Sequence, residues 1–312
     1  MTADIGTAGA GHGGVIHDIG YRRYEGPRLG RPGIIRALIW HSFRSAFGIG
    51  RGVKAKIVPI IAFVIMCLPA VANTVGVAQG NPRTVPYDTY IFQLRVIIML
   101  IFIAAQAPEL VSRDLRSHVL PLYFSRPLHR LDYPFAKLAA FILACLAMIE
   151  IPLLFLYLGT ISQSHGGSAI WHETKALIPG LLVGLMWAVL LAAIGLFLAS
   201  LSGRRAYSTG TIAIFFFLTW ILAGILDKVS TGGQGHPFRG AGGQAATTGA
   251  QLSGLASPFT VLDGVRQWLG GTSPGPIPPP GSYGPLYAAV LVVLLGLAVG
   301  GLAIRYRKAG VA

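Results

Sequence analysis

The sequence predicts an all-α membrane protein: six transmembrane helices, N- and C-termini cytoplasmic, an N-terminal interfacial helix, and an outer insertion before the last helix. Three observations predict it. Of 312 residues, 53% are hydrophobic and only 12% charged, against about 25% charged in an ordinary soluble domain. Six stretches stay apolar over about 20 residues, the length needed to cross a hydrocarbon core about 30 Å thick. The 25 Lys and Arg fall between those stretches in alternately rich and poor segments.

The elements follow in order. Residues 1–56 read as a cytoplasmic tail, Gly/Ala-rich and unstructured over 1–14. Within the tail, Gly33 to Gly50 is too short, and too interrupted by Arg36, His41 and Arg44, to cross. It suits a helix lying in the membrane interface, with Trp40 and Phe43 dipping inward and arginines at the headgroups. Residues 57–304 form the six-span domain, with spans at about 57–79, 87–107, 137–159, 177–201, 207–227 and 284–304. Cys67 and Cys145 lie inside apolar runs and read as small hydrophobes. The segment 230–283 is a Gly/Pro-rich outer insertion. Inside it, 252–270 spaces Phe259, Leu262, Val265 and Leu269 as a short amphipathic helix resting on the outer membrane surface or on the mouth of the bundle. Residues 305–312 close the chain as a basic cytoplasmic tail.

Orientation follows from charge, because cytoplasmic flanks retain Lys and Arg. With the N-terminus inside, 19 of the 25 basic residues fall in inner segments and five, Arg83, Lys175, Lys228, Arg239 and Arg266, in outer loops. Dropping the second span, which Arg95 interrupts, would put the basic 108–136 segment outside, so the charge pattern argues for keeping it. Arginine outnumbers lysine 19 to 6, which points to a GC-rich bacterial gene and hence to a bacterial plasma membrane.

Several chemistries are excluded. No phosphate-binding G-x-x-x-x-G-K-[ST] loop occurs, so the chain cannot hydrolyse ATP by itself. Nucleophile elbows, H-E-x-x-H and paired Cys/His ligands are also missing, which argues against an enzyme or a metal protein. The basic residues form no nucleic-acid-reading module.

Two charges fall within spans, Arg95 in the second and Glu150 in the third. Each costs roughly 2.5 to 3.5 kcal/mol at the centre of a lone helix. Counted inward at about 1.5 Å per residue, Arg95 lies about 12 Å deep and Glu150 about 13.5 Å deep. Three readings stay open: a structural ion pair, contact with substrate or a proton, and snorkelling.

The segment P-E-L-V-S-R-D-L-R-S-H-V-L-P-L-Y-F-S-R-P-L-H-R-L-D-Y-P-F-A-K (108–137) carries both signs of charge, where topology needs only positives. Pro108 opens a helix on which Glu109 and Arg113 make an i,i+4 pair, Ser125 to Pro127 breaks the chain, and Asp132-Tyr-Pro134 starts the next helix. A short charged helix of this kind suits docking of another protein.

This segment, together with H-D-I-G-Y-R-R-Y-E-G-P (17–27), six spans, the interfacial helix and the R-Y-R-K tail (305–308), resembles the permease subunit of ABC exporters of the type-2 family. The long outer insertion departs from that pattern. The resemblance implies a half-transporter that pairs with a second permease subunit, identical or not, and engages two copies of a separate ABC ATP-binding subunit, which holds ATP and Mg; this chain itself binds no cofactor. It further implies a coupling helix over 108–118, with Glu109, Arg113, Asp114 and Arg116 contacting the ATPase, and a connecting helix bearing Arg36, Trp40 and Arg44. The substrate pathway it implies includes Asn73, Thr74, Phe216 and Trp220. Two other classes stand beside this one: a membrane scaffold that does not transport, and a secondary transporter using Glu150 and Arg95.

Overall fold

The computed structural model describes residue 26 and residues 30–81, 85–90, 92, 94–116, 128–164, 166–231, 247–271, 275 and 278–309. Among them lie nine α-helices and no strand: α1 (Arg31–Ala46), α2 (Val53–Ala78), α3 (Leu94–Arg116), α4 (Asp132–Gln163), α5 (Gly167–Ser200), α6 (Arg205–Ser230), α7 (Thr248–Ser253), α8 (Pro258–Trp268) and α9 (Gly284–Ala309). The motif at 17–27 lies outside the described residues except for Gly26, and so does 117–127.

Five helices are long and apolar enough to cross a membrane: α2, α4, α5, α6 and the stretch Gly281–Arg307 that contains α9. The chain therefore has the build of an all-α multi-pass membrane protein. The most apolar window of α5 is 67% buried, whereas those of α2, α6 and α9 are 22%, 17% and 17% buried, so α5 forms the centre and the other three form the outside. Their outward faces are apolar too: Ile60, Val64 and Leu68 on α2, Ile214, Phe217 and Leu218 on α6, and Val292, Val293 and Leu297 on α9 are all exposed. A water-soluble protein rarely shows so much contiguous oily surface, and a bilayer solvates it.

The region expected as the second span is built differently. Residues 87–89 form a 3₁₀ turn, α3 starts only at Leu94, and its apolar part is Val96–Ser112, about 25 Å at 1.5 Å per residue. Arg95 accordingly sits in the first turn of the helix instead of two turns inside it. The shorter apolar run is tolerated because α3 is wrapped by α2, α5 and α6: Met99, Phe102, Ile103 and Ala107 are fully buried. A helix solvated by other helices does not have to meet lipid along its whole length. By contrast α4 and α5 run past the expected 137–159 and 177–201, to 32 and 34 residues. At about 1.5 Å per residue both exceed the hydrocarbon thickness, so their ends stand in water.

Proline sits inside four of these helices, at Pro59, Pro69, Pro108, Pro152 and Pro179. Membrane helices accept it where neighbours take up the disturbed backbone. Next to Pro69, the Tyr90 hydroxyl donates to the Met66 carbonyl at 2.6 Å, which joins the 3₁₀ turn to α2.

Helix α1 packs across α4 and α3, burying Leu38, Ser42 and Ala46 while Arg36, Trp40 and Arg44 form an exposed stripe at four-residue spacing. Trp40 is 60% exposed and stacks on Phe43 at 5.7 Å, and Phe43 packs against the core. The helix ends at Ala46 instead of running to Gly50. Gly48 adopts φ +70°, and a Cβ there would lie 2.6 Å from the Ala55 carbonyl oxygen. Only glycine closes this turn into α2.

Of the two placements that the sequence leaves open for helix α8, the membrane surface and the mouth of the bundle, the structure has the second, and deeper than a resting helix: every residue from Pro258 to Arg266 is buried, between α5, α6 and α9. Phe259 is the centre of that contact, stacked on Trp187 (5.6 Å) and Phe216 (5.1 Å) with Trp220 edge-on at 5.7 Å. Of the expected stripe, Leu269 alone stays out, 67% exposed. Removing so large a buried ring costs about 3–5 kcal/mol. Phe259→Ala should therefore lower the thermal unfolding midpoint of the detergent-solubilised protein and make 247–271 the first segment cut by protease; an unchanged midpoint and cleavage pattern would show that the cap is not packed as described.

Candidate functional site

Alternating helix directions bring the end of α3, the starts of α2, α4 and α6, the end of α5 and the end of α9 to one end of the bundle. This is the basic end. Here Arg51, in the turn after α1, and Arg205, the first residue of α6, both bind the Glu109 carboxylate, one at each oxygen. That carboxylate is only 7% exposed. Two elements far apart in sequence thus close on one acid from α3, and charge-assisted bonds of this type are roughly twice as strong as neutral ones.

One turn later Asp114 accepts from the Tyr133 hydroxyl and pairs with Lys137 Nζ at 2.9 Å. Both partners belong to α4, and Lys137 is nearly buried. Between the two acids, Ser112 Oγ donates to the Ala199 carbonyl of α5 at 2.8 Å and meets Ser208 Oγ of α6 at 2.9 Å. Arg31 of α1 makes two bonds to Asp132 at 2.7 and 2.8 Å, and the Tyr133 and Tyr306 rings, on α4 and α9, lie 5.3 Å apart. The end of α3 is therefore pinned to the α1–α2 turn, α4, α5 and α6 at once.

The four residues expected to meet an ATPase now separate. Glu109 and Asp114 are held within the chain, Arg116 is exposed, and the side chain of Arg113 lies outside the described residues. Arg116 lines a small cavity of about 310 Å³ with Arg51, Pro108, Glu109, Gly203 and Arg205. Sequence reasoning missed Arg51, Arg205, Tyr133 and Lys137 as partners: Arg51 and Arg205 counted only toward topology, and Lys137 stood among the cations of the mixed-charge segment without being paired with Asp114. The available signal was the pair of acids within a strongly apolar helix, each of which needs a cation.

The opposite end holds a second polar layer. Tyr87 donates to Glu173 at 3.0 Å, and Arg266 of α8 bonds Asp88 at 2.6 Å and Asp263 at 2.9 Å with its guanidinium 5.3 Å from the Phe92 ring. Burial pushes the Asp263 carboxyl up, an effect that Arg266 and Gln267 only partly offset. This buried pair therefore fixes the position of the cap more than it stabilises the fold.

Between the two ends stands Glu150. Both its carboxylate oxygens are buried without a hydrogen-bond partner among the described residues, and a Cβ at Gly184 of α5 would collide with Oε1. The proposed partner, Arg95, has its side chain outside the described residues. The four pathway candidates do not converge. Asn73 and Thr74 bond back to α2 carbonyls at Pro69 and Ala70, Phe216 is fully buried, and Trp220 reaches a groove of about 370 Å³ with Ile97, Phe217 and Ile221 on the outer face of α6. Among the described residues no three His, Cys, Asp or Glu side chains gather as metal ligands would. No protein-family model matches this chain, and no curated protein matches it either.

Arg205 is 63% exposed and Arg51 22%, so water screens the first pair far more. Double-mutant cycles should give about 1.5–3 kcal/mol of coupling for Glu109 with Arg51 and under about 1 kcal/mol with Arg205. Equal couplings would contradict the placement of Glu109 as a bridge held chiefly from the α1–α2 turn.

Proposed function

We propose that this chain is the permease subunit of an ATP-driven exporter in a bacterial plasma membrane. In this reading α3 is the second of six crossings, both termini and the basic end face the cytoplasm, and a second permease subunit pairs with this one. A separate ATP-binding subunit supplies ATP, Mg and force. The observation that carries the reading is the pinning of the α3 end: whatever pushes on residues 108–116 pushes on the α1–α2 turn, α4, α5 and α6 together. Such a joint suits rigid-body rocking of a bundle by an external motor. Further support comes from α1, which lies across the same end with Arg36, Trp40 and Arg44 exposed, where a cytoplasmic partner would reach them. The uncovered apolar face of α2 suits a dimer axis, with substrate passing between the subunits.

Co-expression with a candidate ABC ATP-binding subunit from the same genome tests this. The tagged chain should retain that subunit, and proteoliposomes of the pair should show ATP-dependent flux; a chain that retains no ATP-binding subunit and supports no ATP-dependent flux contradicts the proposal. The buried carboxylate of Glu150, which has no hydrogen-bond partner among the described residues, favours a second reading, ion-driven transport. Under the exporter reading, Glu150→Gln should leave flux dependent on ATP; flux that persists without any ATPase, follows a proton or sodium gradient and is lost in Glu150→Gln would assign the second reading instead.

A further inference from the structure

The basic end carries more positive charge than its acids neutralise. A concavity of about 980 Å³ opens between α3 and α6, lined by Ala105, Arg116, Arg204, Arg205, Tyr207 and Thr209. It shares Arg116 and Arg205 with the smaller cavity beside Glu109. Glu109 already serves Arg51 and Arg205. Arg116 and Arg204 have no carboxylate partner among the described residues, and Arg204 lies over the Tyr207 ring at 5.9 Å. One wall is therefore a cluster of guanidinium groups, and Ala105 leaves room in front of it.

The other wall is oily. Tyr207, Ile214, Leu218 and Ile225 are spaced by seven, four and seven residues, which places them on one stripe of α6, and they are 63%, 66%, 61% and 51% exposed. The stripe starts in the concavity and runs along the most apolar part of the helix. Arginines where a span leaves the hydrocarbon stand at the level of the headgroups. An acidic protein surface would satisfy the charge but has no use for the stripe.

We propose that this concavity binds the phosphate of an anionic glycerophospholipid. Arg116 and Arg204 hold the phosphate oxygens, Arg205 adds a third donor while keeping Glu109, and the acyl chains follow Tyr207, Ile214, Leu218 and Ile225. The lipid would act as a wedge between α3 and α6, the two helices that also meet at Ser112 and Ser208. The site requires the bundle to sit in a bilayer and does not depend on the exporter reading, so each can fail while the other stands.

The test is native mass spectrometry of the full-length chain in detergent, titrated with phosphatidylglycerol or phosphatidylcholine. Phosphatidylglycerol should be retained in preference, and its affinity should fall as sodium chloride rises from about 0.05 to about 0.5 M. Each arginine near a membrane surface is worth roughly a fivefold change in affinity, so Arg116→Gln with Arg204→Gln should weaken retention about 25-fold. Lys175→Gln with Lys228→Gln, at the other end, should leave it unchanged. Equal retention of the two lipids, absence of a salt effect, or an unaffected Arg116/Arg204 variant would each overturn the proposal. Displacement of the lipid by millimolar inorganic phosphate would overturn the lipid source and assign a free anion. Loss of a co-expressed ATP-binding subunit from that variant, with phosphatidylglycerol retained, would assign the arginines to a protein contact. If the double variant fails to fold, the salt dependence and lipid preference of the unmodified chain still decide.

Discussion

The absence of water from the middle of the bundle governs this structure. Polar side chains there must find partners in the protein or leave for the ends, and most have left. What results is two polar layers separated by packed Leu, Ile, Val, Ala and aromatic side chains. At one layer three carboxylates, Glu109, Asp114 and Asp132, are each matched by cations from a different element. At the other, Arg266 ties the α8 cap to Asp88. Glu150 stands apart as an acid between the layers with both carboxylate oxygens buried and without a hydrogen-bond partner among the described residues.

The two layers differ in what they join. The layer opposite the basic end closes the mouth: α8 is sunk between α5, α6 and α9, and its Phe259 reaches the same aromatic cluster as Trp187 and Phe216. The basic layer unites the helix ends around α3. Pairs as exposed as Arg31 and Asp132 contribute little energy, yet the nearly buried Glu109 and Lys137 are costly to leave unpaired. Those two side chains make the end of α3 a joint that transmits displacement. A partner on that end could drive the proposed transport without this chain performing any chemistry.

Much of this was legible in composition. The long apolar runs of α2, α4, α5, α6 and α9 announced themselves because these helices touch lipid or the core along more than 20 residues, and Asp132 was read correctly as the start of a helix. Helix α3 was legible only in part, since a helix enclosed by protein obeys packing rather than hydropathy. The depth of the cap was not legible for a related reason. A stripe of Phe259, Leu262 and Val265 looks the same whether it meets a membrane surface or a bundle interior, and the burial of Thr260, Asp263 and Arg266 on the remaining faces depends on neighbours far away in sequence. The same holds for the basic end. Glu109 was singled out, but Arg51 and Arg205 lie 58 and 96 residues from it, and no local spacing couples them. The resemblance to type-2 exporters rests in part on 17–27, outside the described residues, and it stands as a proposal carried by the joint around α3.

Topology tests the central claim most directly. Single cysteines are placed at Arg116→Cys, on the basic end, and Lys175→Cys, on the other, in a chain with Cys67 and Cys145 replaced. A membrane-impermeant maleimide should label position 175 in intact cells and position 116 only after the membrane is opened. Labelling of position 116 in intact cells would put the α3 joint outside, beyond reach of any cytoplasmic ATPase, and would contradict the account.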